Sequence, residues 1–193
     1  MWLNGYPQAF DWTEFIKTTL VLEGNDCSAQ EIGLRENEIR KRVTQVLKCD
    51  ANLPHPIQTN GVGYDVLVSN FCAESATDSM EQWRQFVENI TSLIRPGGRL
   101  IMSTLKGASS NGVGTETFPA VNIMEDDLID LLIDVGFDSN TIDVESVPAD
   151  RPNRHYQGLI FVTAIMMQYS TAISSVIFDL AQKRFVGFLD VSL

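Results

Sequence analysis

The 193-residue chain is poor in the residues that metal centres, disulfide scaffolds and nucleic-acid binding require. It has 3 cysteines with no Cys-x-x-Cys pair and only 2 histidines, so neither a zinc site nor a His-rich metal centre is expected. Its 14 basic residues face 25 acidic ones, and a net charge of -11 disfavours nucleic acid and anionic membranes as partners. An odd cysteine count, with no signal peptide and no apolar run long enough to span a membrane, predicts a soluble cytoplasmic protein with reduced thiols.

Hydrophobic patterning predicts strands and helices in alternation, and 44% hydrophobic residues suffice for one core. The near-continuous apolar run at 64–71 is typical of a strand buried on both faces. The Gly-, Ser- and Asn-rich segment 107–114 is predicted to be a loop. Strands are predicted at 46–50, 64–71, 99–104, 141–147 and 158–166, and helices at 10–22, 29–43, 80–94 and 125–136.

The order of these elements predicts the fold class. Strand and helix alternate from 46 to 136, which favours an α/β fold with a largely parallel sheet. The last two strands follow each other without a helix, so they are expected to form an antiparallel pair at one edge. Residues 168–193 do not fit this scheme. They are either an added amphipathic helix and strand or non-native sequence from a gene-model or splicing difference.

A strand, a helix and a Pro-Gly-Gly turn resemble the middle of class I S-adenosylmethionine-dependent methyltransferases, on Tyr64–Asn70 and Pro96–Leu100. The flanking segments are similar to the family of nicotinamide, phenylethanolamine and thioether or indolethylamine N-methyltransferases. The segments that carry this likeness are Ala9–Trp12, Leu22–Asn25, Gln45–Asp50, Gly114–Phe118 and Gln157–Leu159. The resemblance extends from Trp2 to Ala164 and implies S-adenosylmethionine as the cofactor.

The resemblance also implies that the fold is an incomplete Rossmann-like methyltransferase fold. In the family, a lid, two strands and a glycine-rich cofactor loop precede the point where this chain begins. Residues 1–167 are thus expected to be the C-terminal portion of a methyltransferase domain, and 168–193 a tail of uncertain origin. The two missing strands lie between those expected at 46–50 and 64–71. The chain is therefore expected to be a fragment, to pair its two orphan strands directly, or to obtain the missing half from a partner.

The cofactor-binding residues that the resemblance implies are Asp50, Ala51, Asn70 and Phe71. Asp50 would accept a hydrogen bond from the adenine amine, and the backbone amide of Ala51 would reach a ring nitrogen. The competing interpretation of Asp50 is a carboxylate that caps a local turn. Asn70 lies at the end of a strand, where open α/β sheets bind ligands.

The acceptor-binding residues that the resemblance implies are Thr104, Ser109, Asn111, His155 and Tyr156. Thr104 stands where the nicotinamide-methylating member has Asp, so an amine other than nicotinamide is expected. His155 and Tyr156 are equally well interpreted as solvated loop residues. His155 is a weak candidate for a general base, needed only if the amine arrives protonated.

The sequence thus predicts an S-adenosylmethionine-dependent N-methyltransferase that acts on a small amine or pyridine-type nitrogen, with no metal, nucleic acid or membrane involved. No catalytic residue is certain, because a sulfonium methyl is already activated and catalysis depends on alignment. The alternative is a truncated isoform or pseudoenzyme that binds a partner through an exposed sheet edge.

Overall fold

The structure is a computed structural model that describes residues 3, 8–57, 63–113, 115–150 and 155–168. The chain divides into two units, residues 1–48 and residues 49–193. In the first unit, helix α1 spans Thr13–Leu22 and helix α2 spans Ala29–Arg42, as the patterning predicts. Ser28 caps α2 by accepting a hydrogen bond from the Glu31 amide (3.4 Å). The predicted tail lies outside the described residues except for Gln168.

The predicted strand at 46–50 is wrong, because these residues form no strand. Val46 is 75% exposed, and the segment leads into a turn in which the Asp50 amide donates to the Pro56 carbonyl (2.8 Å). An extended segment becomes a strand only when a neighbour supplies its ladder of hydrogen bonds. No such pairing forms within the described residues, so of the three alternatives given above the direct pairing of this segment with the strand at 64–71 is wrong.

The second unit carries the sheet and its helices, in an α/β arrangement. Its elements in chain order are β1 (Tyr64–Asn70), α3 (Ala73–Ala76), α4 (Met80–Thr91), β2 (Ile94–Lys106), β3 (Ser110–Val113), β4 (Glu116–Pro119), α5 (Glu125–Asp134), β5 (Asp143–Pro148) and β6 (Gly158–Ile165). Four strands form one sheet in the order β1-β2-β6-β5. β1 runs parallel to β2, whereas β6 is antiparallel to both β2 and β5. The predicted antiparallel pair at the edge is confirmed.

Strand β1 forms where the apolar run predicts it, but it is not buried on both faces. Val66 and Val68 are 49% and 58% exposed, whereas Leu67 packs against the core. Among the described strands, β1 pairs only with β2, so it is an edge strand. A strand with apolar residues on both faces is expected to have a packed layer on each side. The described part of this unit supplies such a layer on one face only.

Alternate residues of the sheet therefore define two faces. Helices α4 and α5 pack on the helix-covered face and bury its side chains with Trp83, Phe86, Leu128 and Leu132. The helix-covered face carries Leu67, Leu100, Met102, Ile160, Val162 and Ala164. The opposite side, here called the open face, carries Val66, Val68, Arg99, Ile101 and Phe161, which are exposed.

The two helices that cover the sheet begin where the sequence predicts. The Ser79 side chain accepts from the Gln82 amide (3.3 Å), which decides between the two capping patterns that the sequence offers. Helix α5 places Glu125, Asp126 and Asp127 in its first turn, next to the positive end of the helix dipole. No helix within the described residues is long and apolar enough to cross a membrane.

The predicted loop at 107–114 is wrong in part, because Ser110–Val113 pairs with Glu116–Pro119 as a β-hairpin. A segment rich in Gly, Ser and Asn has low strand propensity, so its composition predicts a loop although it forms a strand pair. The hairpin is tied at its base, where the Gly107 amide donates to the Ile123 carbonyl (2.9 Å). The Lys106–Glu125 ion pair closes the same segment.

Candidate functional site

Asn70 ends β1 next to Ser103 of β2, and the two are joined by hydrogen bonds. The Ser103 hydroxyl donates to Asn70 Oδ1 (2.8 Å), and the Phe71 amide donates to the Ser103 carbonyl (2.8 Å). Because β1 and β2 are parallel, their carboxyl ends open at one edge of the sheet. Ligands of open α/β sheets bind outside that edge.

Phe71 has an unusual backbone at this edge. Its φ is +50°, in the left-handed region that bulky residues avoid, and it is the one described non-glycine residue with a positive φ. Its ring is 41% exposed although the residue is large and apolar. Backbone strain of this kind persists where the surroundings impose it and is concentrated at functional sites. The strain supports the assignment of a binding site to the end of β1.

Asp50 and Ala51 form a turn that α4 holds in place. Asp50 Oδ1 accepts from both the backbone amide and the side-chain amide of Asn52, at 3.1 Å each. One oxygen of the Asp50 carboxylate therefore caps a local turn, as the competing interpretation predicts. The residue remains exposed. Ala51 is buried, and its carbonyl accepts from the Asn89 side chain (2.9 Å).

The turn at Asp50 and the segment that follows β1 pack on the same hydrophobic core. Ala51 and Ala73 belong to the same hydrophobic cluster. The pKa of the Cys72 thiol is raised by burial, by the charge of Glu74 and by the charge of Cys49. Asn70 and Phe71 thus lie at the carboxyl end of β1, whereas Asp50 and Ala51 lie in a turn that is bonded to α4.

Glu74 carries a buried carboxyl group just after the end of β1. Nothing in the sequence predicts that this residue is part of a site. It is completely buried in α3, and its Oε1 accepts from the Leu105 amide (3.1 Å). Burial raises its pKa, and nearby backbone amides and the Thr104 hydroxyl offset part of that rise. The Thr104 hydroxyl lies close to the carboxyl group but outside hydrogen-bond geometry. Glu74 Oε2 and Thr104 Oγ1 are both buried without a hydrogen-bond partner in the described part of the chain.

The remaining predicted acceptor residues form a second group. The Ser109 amide and hydroxyl both approach the His155 carbonyl, at 2.8 and 3.4 Å. Tyr156 is half-buried in the same turn. The backbone of Asn111 pairs with Phe118 inside the β3–β4 hairpin. Thr104 is separate from this group, since it is buried on the helix-covered face beside Glu74.

No cluster of His, Cys, Asp and Glu that could hold a metal ion occurs among the residues that the structure describes. What the site does offer is a strand end with a strained residue, a carboxylate turn and an unpartnered buried carboxyl group. In open α/β sheets, ligands bind at the carboxyl ends of the parallel strands, and Asn70 and Phe71 lie at that edge of this sheet.

The sequence matches the NNMT/PNMT/TEMT family over residues 1–166, and the chain belongs to this family. It is 34% identical over 138 residues to indolethylamine N-methyltransferase from Oryctolagus cuniculus, a match that covers 71% of this chain and 51% of the relative. It is 30% identical over 152 residues to phenylethanolamine N-methyltransferase from Rattus norvegicus, covering 77% of this chain and 52% of the relative.

Nicotinamide N-methyltransferase from Homo sapiens is 26% identical over 164 residues, covering 84% of this chain and 61% of the relative. The first two relatives are thus matched over 51% and 52% of their lengths, so the chain spans about half the length of these curated relatives. The resemblance deduced from the sequence is confirmed at the level of the family.

Proposed function

We propose that this chain forms part of an S-adenosylmethionine-dependent N-methyltransferase that acts on a small amine or pyridine-type nitrogen. Residues 1–167 would be the C-terminal portion of the methyltransferase domain. The observation that carries the proposal is the family match over residues 1–166. The exposed carboxylate turn at Asp50 and the position of Asn70 at the end of β1 support it. Each relative named above is an N-methyltransferase.

The described residues fit the cofactor. Only one oxygen of Asp50 is engaged in its turn, so the other is available to accept a hydrogen bond from the adenine amine. The neighbouring Ala51 is held by Asn89 and would present its amide to the ring. Asn70 and Phe71 would lie along the part of the cofactor near its methyl group. When bound, S-adenosylmethionine supplies a methyl group already activated on a positively charged sulfonium.

The predicted acceptor residue Thr104 lies beside the buried carboxyl group of Glu74. Glu74 Oε2 is a buried acceptor with no hydrogen-bond partner among the described residues, and Thr104 Oγ1 lies beside it unpartnered. A buried acceptor without a donor is costly, and an amine N–H is a donor that would satisfy it. We therefore add Glu74 to the predicted acceptor residues, whereas Ser109, Asn111, His155 and Tyr156 would line the outer part of the acceptor site. The role of these residues is to align the nitrogen lone pair and to exclude water.

The experiment that tests this function is calorimetric titration of the chain with S-adenosylhomocysteine. Binding in the micromolar range is expected. The Asp50→Asn variant keeps an oxygen for the turn but loses the negative charge, and about tenfold weaker binding is expected, equivalent to about 1.4 kcal/mol. Asp130→Asn, an exposed substitution in α5, is the matched control and should bind like wild type. A folded chain that gives no heat at millimolar ligand contradicts the proposal for this chain.

A second candidate function rests on the edge of β1. Val66 and Val68 are exposed there, and β1 pairs only with β2 among the described strands. An unpaired edge is a template for a further strand, so the chain could instead act as a non-catalytic scaffold that binds a partner. The same titration separates the two functions, because a scaffold needs no affinity for S-adenosylhomocysteine.

A further inference from the structure

Strand β1 leaves one edge of the sheet open to further pairing. Among the described strands it pairs only with β2, and its side chains Val66 and Val68 are 49% and 58% exposed. Its one charged residue, Asp65, forms an ion pair with Arg95 of β2. Edge strands that resist pairing usually carry free charges or proline. The strand at the opposite edge, β5, does carry such residues, namely Asp143, Glu145 and Pro148.

The segment 43–48 is a second unpaired part of the chain. All six of its residues are exposed and belong to no helix or strand, and Val46 is 75% exposed. Helix α2 ends at Arg42, and Val43 already has an extended backbone (φ −76°, ψ 104°). Residues 44–48 make no backbone hydrogen bond with another described residue. The segment therefore has the composition of a strand and lacks only a neighbour to pair with.

The charges of the two parts are opposite in sign. Residues 49–193 carry 8 of the 14 basic residues and 18 of the 25 acidic ones, a net charge of −10. Residues 39–48 contain four basic residues and no acidic one. Arg40 and Arg42 pair with glutamates of α2, so Lys41 and Lys48 supply the excess positive charge. Segment 43–48 of one copy is thus attracted to the acidic unit of another copy.

We infer that residues 43–48 of one copy pair with the open edge of β1 in a second copy. The added strand supplies hydrogen bonds to the backbone groups of β1 that face away from β2. Each copy donates one segment and accepts one, so the exchange closes as a two-fold symmetric dimer. The two parts do not pair within one described chain, which leaves both of them available to a second copy. This inference goes beyond both candidate functions, because it requires neither S-adenosylmethionine nor a different protein.

Sedimentation equilibrium of the full chain without ligand tests the inference. The wild-type chain should form dimers at micromolar concentration. Val46→Pro removes a backbone N–H that has no partner in the described chain, so it should block the exchange without disturbing the fold. Val68→Lys places a charge on the edge of β1. Each variant should weaken self-association about tenfold or more.

The matched control is Val147→Lys, which makes the same change at an exposed position of β5 and should associate like wild type. Circular dichroism and thermal unfolding show whether each variant is folded.

A mixture of the two blocked variants gives the sharpest test. Val46→Pro keeps an intact β1 edge and Val68→Lys keeps an intact segment, so the mixture should form heterodimers although neither variant pairs with itself. A monomeric wild-type chain, a Val46→Pro variant that dimerises like wild type, or a mixture without heterodimers would overturn the inference. None of these measurements involves S-adenosylhomocysteine, so their outcome is independent of the titration that tests the proposed function.

Discussion

The helix-covered face and the open face of the sheet are made by alternate residues of the same strands, and they differ in what their side chains do. Leu100 of β2 is completely buried under α4 and α5, whereas the next residue, Ile101, is 39% exposed. The same contrast holds for two neighbouring hydroxyl groups. Thr104 on the covered side is buried without a partner, while Ser103 on the open side donates to Asn70.

The difference shows how stability and binding are divided within this chain. Burial of apolar area under two helices is the dominant stabilising contribution, and among the described residues it acts on one face of the sheet. The open face ends in Asn70 and the strained Phe71, which the core does not require. Mutations on the two faces should therefore separate the two properties.

The largest expected effect comes from truncating neighbouring residues of β2 on opposite faces. Leu100→Ala should lower the free energy of unfolding by about 2–5 kcal/mol, because it removes buried methyl groups and leaves a cavity. Ile101→Ala should cost clearly less, about 1 kcal/mol, since its side chain already keeps part of its surface in water in the folded chain. Urea denaturation of both variants measures the contrast, and equal losses would show that the open face is covered in solution.

The next effect concerns Glu74, whose pKa is raised by burial. A raised pKa means that the folded state holds the proton more tightly, so stability is highest below the ordinary value of 4.5 and falls as pH rises through the raised value. Glu74→Gln should abolish this fall and stabilise the chain at neutral pH by about 1–3 kcal/mol, the usual cost of an unsatisfied buried polar group. Denaturation of wild type and variant from pH 4 to 8 measures the difference. The exposed substitution Glu145→Gln is the control, and identical pH profiles for Glu74→Gln and wild type would contradict the prediction.

A smaller effect is expected at Asn70 on the open face. Asn70→Ala leaves the buried Ser103 hydroxyl without its acceptor, which should cost about 1 kcal/mol of unfolding free energy. Binding of S-adenosylhomocysteine should decline more than stability does. Asn122→Ala, at an exposed position, should change neither. Unchanged affinity in Asn70→Ala would exclude Asn70 from the binding site.

The smallest effect is expected at the rim of the helix-covered face. Lys106 and the Ser146 hydroxyl (2.6 Å) lower the pKa of Glu125 to about 2. A lowered pKa stabilises the chain above the ordinary value of 4.5, and this stabilisation is lost as pH falls through about 2. Because the ion pair is partly solvated, Glu125→Gln should be only slightly less stable than wild type at neutral pH and equally stable at the acid end. A difference that persists at the acid end would contradict this origin.

The local features of the fold could be predicted from the sequence, and the features that depend on distant neighbours could not. The capped starts of α2 and α4 and the end of α5 follow from residues a few positions apart. The predicted strand at 46–50 has the right composition, but a strand also needs a neighbour to pair with. The β3–β4 hairpin is not predicted, because its glycine, serine and asparagine residues have low strand propensity and are typical of a loop.

The candidate site was predicted in the same uneven way. Asp50 and Asn70 follow from the family resemblance, and the structure places Asp50 in a turn beside α4 and Asn70 at the end of β1. Glu74 was missed because a glutamate in a short Ala- and Ser-containing helix is ordinarily an exposed residue. Its burial arises from the packing of α3 against β2, which no local pattern encodes.

The central claim is that the Asp50 turn and the end of β1 form one side of a single cofactor pocket. Amide NMR spectra recorded while S-adenosylhomocysteine is added to the reduced chain test this claim most directly. The resonances of Ala51, Asn70 and Phe71 should shift together along one binding curve, while those of α5 should not move. Shifts that appear at only one of the two segments, or follow different binding curves, would contradict the shared pocket.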